Sequence, residues 1–256
     1  MKLSNVAVTL AAVAPAAADC TRDTLIKAAD AYVAAQGQGA LGDLEKLLTP
    51  DYKVQQNNKA SSATASVLGT ALKVAHRKTT ADTVNCASYT EVIATTPKPY
   101  VIGTQLRHTP DGASITLIDI IAATTGALRF DAAKTLSYIE KEQWTEIDAS
   151  KRDSRALLQQ VGDAYLDMWT NASAINAIPW GTPCERVEGS SHNSPCTVGA
   201  PKGGSSQRNS NRRYVIDEVL GSCDIHCAFS AVGGVADSHE FRLENGKLRY
   251  VHTITL

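Results

Sequence analysis

The sequence predicts an α+β protein made of two similar halves, each opening on a helix and continuing into mainly antiparallel strands. Three observations carry this. Apolar residues at helical spacing precede runs rich in Val, Ile, Thr and Tyr in both halves. A related tetrapeptide, Asp30-Ala31-Tyr32-Val33 and Asp163-Ala164-Tyr165-Leu166, recurs at an offset of 133 residues. The runs Ile115-Thr116-Leu117-Ile118-Asp119 and Leu248-Arg249-Tyr250-Val251-His252 share that offset. Two distant matches in one register indicate duplication, giving a leader at 1–18, a first repeat at 19–150 and a second at 151–256. The likeness of Tyr100-Val101-Ile102 to Tyr214-Val215-Ile216 has another offset and reads as accidental.

In chain order, Lys2 and the short apolar run Val6 to Val13 precede Ala14-Pro15-Ala16-Ala17-Ala18, the pattern of a cleavable secretory signal. The run is too short to span a bilayer. Leu25, Ala28, Ala29, Tyr32 and Val33 place the first helix at 25–33. Strands follow at 80–87, 88–95, 100–107 and 115–122. A helix at about 131–143 and a segment through Trp144 to Ser150 join the halves. Ser150-Lys151-Arg152-Asp153 has the form of a capping box before a second helix at 158–169. The Gly-, Ser-, Asn- and Pro-rich stretch 188–211 reads as a long loop. Strands at 214–220, 223–229, 238–244 and 248–255 complete the second half.

Lysine plus arginine is 25 and aspartate plus glutamate is 26, which excludes a dominant basic surface for nucleic acid. No later segment resembles a membrane span, so the chain without its leader is expected to be secreted and free of the membrane. An even count of six cysteines in an exported chain favours disulfides. Cys184 with Cys196 would staple a loop, and Cys20 with Cys86 would tie down the new N-terminus. Cys223 and Cys227 lie roughly 13 Å apart on a strand, beyond the ~7 Å a disulfide allows, unless a turn intervenes. Cys223, His226 and Cys227 lack a second ligand pair at zinc spacing, so no metal is expected. Asn171-Ala172-Ser173 is a glycosylation sequon.

The site argument comes from a hairpin. Asn245-Gly246 suits a two-residue turn that needs positive φ twice. Pairing from that turn sets Leu243 opposite Leu248, Phe241 opposite Tyr250 and His239 opposite His252. Period-two alternation then puts all six on one apolar face, with Glu240, Arg242, Glu244 and Arg249 facing water. Two imidazoles with Cβ atoms roughly 5 Å apart cannot both be charged cheaply there. One would serve as a base or acceptor; the alternative is a hydrogen-bonded core pair. The matching hairpin at Asp111-Gly112 sets Thr104 opposite Asp119 and Ile102 opposite Ile121, which makes Asp119 a second site or a core hydrogen-bond partner. The strand Tyr214 to Leu220 has apolar residues on both faces, so Asp217 or Glu218 is poorly solvated. Either would ion-pair, with Arg212 or Arg213, or orient a histidine. Trp180 and Tyr165 are candidate pocket walls. Phosphate-binding glycine loops, nucleophile elbows and paired-histidine zinc helices are not found.

Four stretches resemble a secreted fungal two-repeat family of the SnoaL-like, nuclear-transport-factor-2-like cone fold. They are Lys151-Arg152-Asp153-Ser154-Arg155-Ala156, Trp180-Gly181-Thr182-Pro183-Cys184, Asn211 to Glu218, and Asp237 to Arg242 continuing through Leu248 to Thr253. The resemblance covers nearly all of the chain after the leader and is densest after residue 150. It implies tandem cones, each a curved sheet closed by helices around an apolar pocket. Enzymes of this fold include dehydratases, ketosteroid isomerases and polyketide cyclases that use His, Asp or Tyr without a cofactor. Some secreted fungal proteins of this kind look like hetero-Diels–Alderases joining a tropolone quinone methide to a humulene-type terpene. The expectation is a cofactor-independent lyase or cyclase on an apolar small molecule. His252 and His239 would be acid and base, Asp217 or Glu218 would orient them, and Tyr250, Phe241 and Trp180 would wall the site. The alternative is a secreted small-molecule binder or effector without catalysis. Whether the chain is a homodimer is left open.

Overall fold

The computed structural model describes residues 20–256; the expected leader lies outside the described residues. Thr21 accepts a hydrogen bond from the Thr24 amide and starts α1 (Arg22–Gln38), which ends where Gly39 takes a left-handed φ of 66°. Six strands follow: β1 (Leu48–Gln56), β2 (Lys59–Ser61), β3 (Lys73–Asp82), β4 (Ala87–Thr96), β5 (Tyr100–His108) and β6 (Ile115–Thr124). They form one sheet in the order β2-β1-β6-β5-β4-β3. After α2 (Ala132–Ile139) and a connecting segment, α3 (Arg155–Asp167) opens the second half. Its strands are β7 (Trp180–Glu188), β8 (Ser191–Asn193), β9 (Ser210–Asp217), β10 (Ser222–Phe229), β11 (Val235–Glu244) and β12 (Lys247–Thr255). Their order, β8-β7-β12-β11-β10-β9, repeats that of the first sheet. Among the described residues, only β1 with β6 and β7 with β12 run parallel. The result is the expected α+β class, two cones in tandem.

Local chemistry accounts for most departures from the expected elements. The strand placed at 80–87 ends at Asp82, because Asp82 Oδ1 accepts from the Val84 and Asn85 amides and turns the chain. Strands β1 and β7 carry proline and charge and bury few residues, so they show no clean alternation. The second helix is capped by Ser154, which accepts from the Leu157 amide, not by Ser150. Ser150 instead sits in a 3₁₀ turn capped by Asp148. Part of the 188–211 loop pairs with β7 as β8.

The decisive difference is register. The turn at Asn245 and Gly246 forms as expected, with φ of 53° and 71°, and Leu243 pairs with Leu248. Arg249 is then an extra residue, a β-bulge, and the pairing shifts by one. Arg242 faces Tyr250, Glu240 faces His252, and His239 faces Thr253. The cause is packing: Leu248 and Val251, three residues apart, both belong to the core under α3, which strict alternation forbids. Ile115 and Ile118 do the same in the first half. There Gln105, not Thr104, opposes Asp119, and Ile102 opposes Ala122 rather than Ile121.

Each sheet therefore has two buried faces. One packs on its own helix: Tyr32, Leu106 and Ile118 in the first half, Tyr165, Phe241 and Val251 in the second. The other packs on the opposite sheet, with Ile93, Ile121, Val187 and Ile254 among the apolar contacts. Helix ends tie the halves reciprocally. Arg155 at the start of α3 donates to Asp82 at 2.7 Å, and Arg22 at the start of α1 donates to Asp217 at 2.7 Å. The Ile216 amide donates to Asp82 and the Ala81 amide to Asp217. The disulfides Cys20–Cys86 and Cys184–Cys196 are both formed. Cys223 and Cys227 are buried free thiols.

Candidate active site

On the helix-covered face of the second sheet, strand alternation brings Asp237 and His239 of β11 to the same side. His239 Nδ1 lies 2.5 Å from Asp237 Oδ2, a bent contact rather than a straight hydrogen bond. Asp237 Oδ1 accepts from Thr255 Oγ1 at 2.6 Å, which fixes the carboxylate. The ring is walled by aromatic neighbours: Tyr165, Trp169 and Phe229 have centroids 5.6–5.8 Å away, and Phe241 stacks at 6.0 Å. His239 lines a cavity of about 140 Å³ together with Trp169, Phe229, Glu188, Thr253 and Thr255. Leu128, Arg129 and Val232 form its mouth side, and Leu128 and Val232 are exposed apolar residues. Glu188 is held by Tyr165 Oη at 3.2 Å and Arg186 at 2.8 Å. Burial pushes the Tyr165 phenol far above its ordinary range, so it stays protonated. Arg129 and Glu188 thus place opposite charges beside an apolar, partly enclosed imidazole.

The first half offers no such group at the matching place. Across its ladders Thr104 occupies the position of His239 and Ile102 that of Asp237. There Tyr32 Oη and Thr104 Oγ1 simply hydrogen-bond at 2.7 Å.

The expected histidine pair is not formed. His252 points to the opposite face, into the seam between the sheets, because the Arg249 bulge reverses its side. Its Nδ1 lies 3.1 Å from Glu91 Oε2 and its Nε2 2.8 Å from Glu142 Oε2. Lys78 Nζ sits 2.6 Å from Glu240 and 3.3 Å from Glu91. Burial alone would discharge the His252 imidazole, but Glu142 and Glu91 outweigh it and push the pKa up to about 10. Both ring nitrogens are engaged and the ring carries its proton, so His252 is part of a buried ion cluster. Burial holds Glu240 above the usual carboxylate range. Glu240 and Arg242, expected to face water, are buried in this seam.

The remaining candidates are dispersed. Asp217 is saturated by Arg22 and by the Ala81, Val219 and Leu220 amides. Glu218 accepts from the Arg155 amide at the start of α3. Both secure helix ends, and neither hydrogen-bonds to a histidine. Asp119 lies in the seam, 2.5 Å from Arg213 Nε and 3.5 Å from His226. Tyr250 also faces the seam, stacked on Trp144 at 5.7 Å, and so is separated from Phe241. Trp180 is half-buried near Tyr165, with its indole donating to the Ile175 carbonyl. Phe241 and Tyr165 pack directly on His239. Asn171 is exposed and accepts from the Ser173 amide. The sequence reading missed Asp237, Glu188, Trp169 and Phe229. The i, i+2 spacing of Asp237 and His239 on one strand was a usable signal for the first of these.

Metal fits these residues poorly. Cys223 and Cys227 lie in the core under α3, whereas His226 points into the seam, which splits that trio. Cys227, Asp237 and His239 offer ligand atoms within 4.8 Å of one another. However, zinc would hold a nitrogen and an oxygen about 3.3 Å apart, and His239 and Asp237 stand at 2.5 Å. Burial and Asp237 also raise the Cys227 thiol well above its ordinary value. In the Glu91, Glu240 and His252 group, the Lys78 ammonium already occupies the centre.

Residues 151–255 match a family model described as a domain of unknown function (DUF8021). No curated protein matches the chain. Solved structures similar to it include a steroid delta-isomerase from Pseudomonas aeruginosa, at 15% identity over 40% of this chain and 81% of that one, with a TM-score of 0.32. AusH from Aspergillus nidulans is 12% identical over 44% of this chain and 90% of its own, with a TM-score of 0.32. PrhC from Penicillium brasilianum is 13% identical over 40% and 82%, with a TM-score of 0.29. The two disulfides fit an oxidising compartment. Among the described residues, no helix is long and apolar enough to cross a membrane.

Proposed function

We propose that the second cone is an acid–base site for a small, largely apolar molecule, acting as an isomerase or lyase with the chain's own side chains. The observation that carries this is a buried imidazole, backed by Asp237, that lines a cavity with aromatic walls. His239 takes a proton from the ligand, and the Asp237 carboxylate, 2.5 Å from Nδ1, stabilises the imidazolium by its charge. The proton then returns to another atom, giving isomerisation, or goes to a leaving hydroxyl, giving dehydration. Arg129 at the mouth favours charge developing on a carbonyl oxygen, and Glu188 accepts from a ligand hydroxyl. General acid–base catalysis of this kind contributes about 10²–10⁴-fold.

The cavity volume of about 140 Å³ matches a benzene-sized guest. A hetero-Diels–Alder joining of two partners would require the mouth between Leu128 and Val232 to open. One-substrate proton transfer is therefore the reading this site favours over cycloaddition. Export to the cell exterior, with a glycan at Asn171, completes the proposal.

The test is solvent deuterium exchange. A panel of small cyclic enones and ketones is incubated with the protein in D₂O and followed by mass spectrometry, with binding followed by NMR shifts at Trp169 and Phe229. The reading expects exchange that His239→Gln reduces at least about 100-fold, and Asp237→Asn about 10-fold or more, with unchanged circular dichroism. Ligands that occupy the pocket but exchange equally in wild type and His239→Gln would make the protein a binder, not an enzyme.

A further inference from the structure

The seam between the sheets has two equivalent ends, and among the described residues a connecting segment covers one of them. At the covered end the segment after α2 lies across Lys78, Arg242 and His252. Glu142 accepts from His252, and the Trp144 ring lies 3.5 Å from Lys78 Nζ. The Thr145 carbonyl accepts from Arg242 at 2.9 Å, and the Ile147 amide donates to the Val219 carbonyl at 2.8 Å. A carboxylate, a flat ring and a carbonyl thus neutralise a buried cationic patch.

The ladders identify the counterparts at the other end. Lys78 pairs with Glu91 as Arg213 pairs with His226, an offset of 135 residues. Arg242 pairs with Ser222 and Tyr250 as Arg107 pairs with Ala87 and Leu117. Arg107 is therefore the counterpart of Arg242. Arg242 donates to Glu244 at 2.8 Å as well as to Thr145. The counterpart of Glu244 is Thr109, which carries no charge. Among the described residues Arg107 has no carboxylate in ion-pair reach, and its side chain donates only to Gln105. The side chain is half-buried. It lines an open pocket of about 440 Å³ with Asn85, Arg212, Arg213 and Tyr214. Val84, the counterpart of Val219, is 64% exposed. Arg212 is already matched by Asp163 and Asp167, and Arg213 by Asp119. Of these three arginines Arg107 alone has no carboxylate within ion-pair distance, and Asp119, Asp82 and Asp224 act on it only from further off.

We infer that this open end of the seam binds a carboxylate carried next to an aromatic ring, the chemistry that Glu142 and Trp144 supply at the covered end. The carboxylate pairs with the Arg107 guanidinium fork. It avoids the position corresponding to His252, where Asp119 would repel it. The ring lies against Arg213, as Trp144 lies against Lys78. The site is on the opposite sheet face from the His239 pocket, so it stands or falls independently of that reading.

Two probes distinguish a polypeptide source from a small-molecule one: the capped hexapeptide with the sequence of Glu142–Ile147, and indole-3-propionate. Each is titrated into ¹⁵N-labelled full-length mature protein to about 1 mM. The inference expects one or both to shift the Asn85 and Tyr214 amides, and Arg107→Gln to weaken binding at least about 30-fold. Arg107→Lys, which keeps the charge but loses the fork, should fall between. No shift at these amides with either probe, or equal affinity for wild type and Arg107→Gln, overturns it. If Arg107→Gln fails to fold, the wild-type shift map and Arg107→Lys decide.

Discussion

Replacing His252 with glutamine should change how stability depends on alkali. In the folded chain the imidazole holds its proton up to about pH 10, whereas an unfolded histidine releases it near 6.5. A group whose folded pKa is raised contributes stability that is complete below the unfolded pKa. That contribution drains away as pH rises through the folded pKa. Each pH unit in this window is worth about 1.4 kcal/mol for one proton. The span from roughly 6.5 to 10 therefore contributes on the order of 4–5 kcal/mol at neutral pH or below. The assay is the guanidinium midpoint of wild type and His252→Gln from pH 6 to 10. Wild type should lose stability steadily across that range relative to the variant. The gap, several kcal/mol at pH 6, should narrow toward pH 10. Stability curves that run parallel would refute the charged, doubly paired imidazole.

Three further substitutions probe how the halves pack. A Cβ added at Gly103 would stand 2.9 Å from the Tyr89 ring and 3.2 Å from Ile254 Cδ1. Both neighbours are buried, so Gly103→Ala should cost about 1–3 kcal/mol, read as a Tm lowered by several degrees in calorimetry. Asp82→Asn should cost about 2–3 kcal/mol in denaturant unfolding, because it weakens both the Arg155 pair and the acceptor for the Ile216 amide. Asp217→Asn should cost a similar amount through Arg22 and the Ala81 amide, and a large inequality between the two would contradict the reciprocal tie.

Features governed by a few neighbouring residues were legible in the sequence. The Asn245-Gly246 turn, α1 and α3, and the Cys184–Cys196 staple all depend on local chemistry, and all are present. The face of His252 was not legible, because it is set by a bulge that exists to put Leu248 and Val251 on one core. Nothing within the hairpin distinguishes that solution from straight alternation. The polar character of Glu240 and Arg242 misled for a related reason. Alternation locates water only when one face of a sheet is free, and here the other half covers that face. His239 kept its inward position because it lies on β11, whose alternation the extra residue on β12 does not interrupt.

The matching ladders also separate what the shared architecture requires from what only one half possesses. The helix-end ties at Asp82 and Asp217 occur in both halves, and so does a charged cluster at each end of the seam. Those features accompany the packing of two sheets and need no chemistry to explain them. Under the helices the halves diverge. Where the first cone has Ile102 and Thr104, the second has Asp237 and His239. Where the first has Val54, the second has Arg186 holding Glu188. The first set is a conventional core with one satisfied hydroxyl. The second buries a histidine, the Asp237 carboxylate and the Arg186 guanidinium, with the half-buried Glu188, beside a cavity, an arrangement that hydrophobic side chains could replace with equal or greater stability. A cone of the same topology in the same chain shows that folding does not require it, and this contrast favours a chemical role for His239 over a packing one.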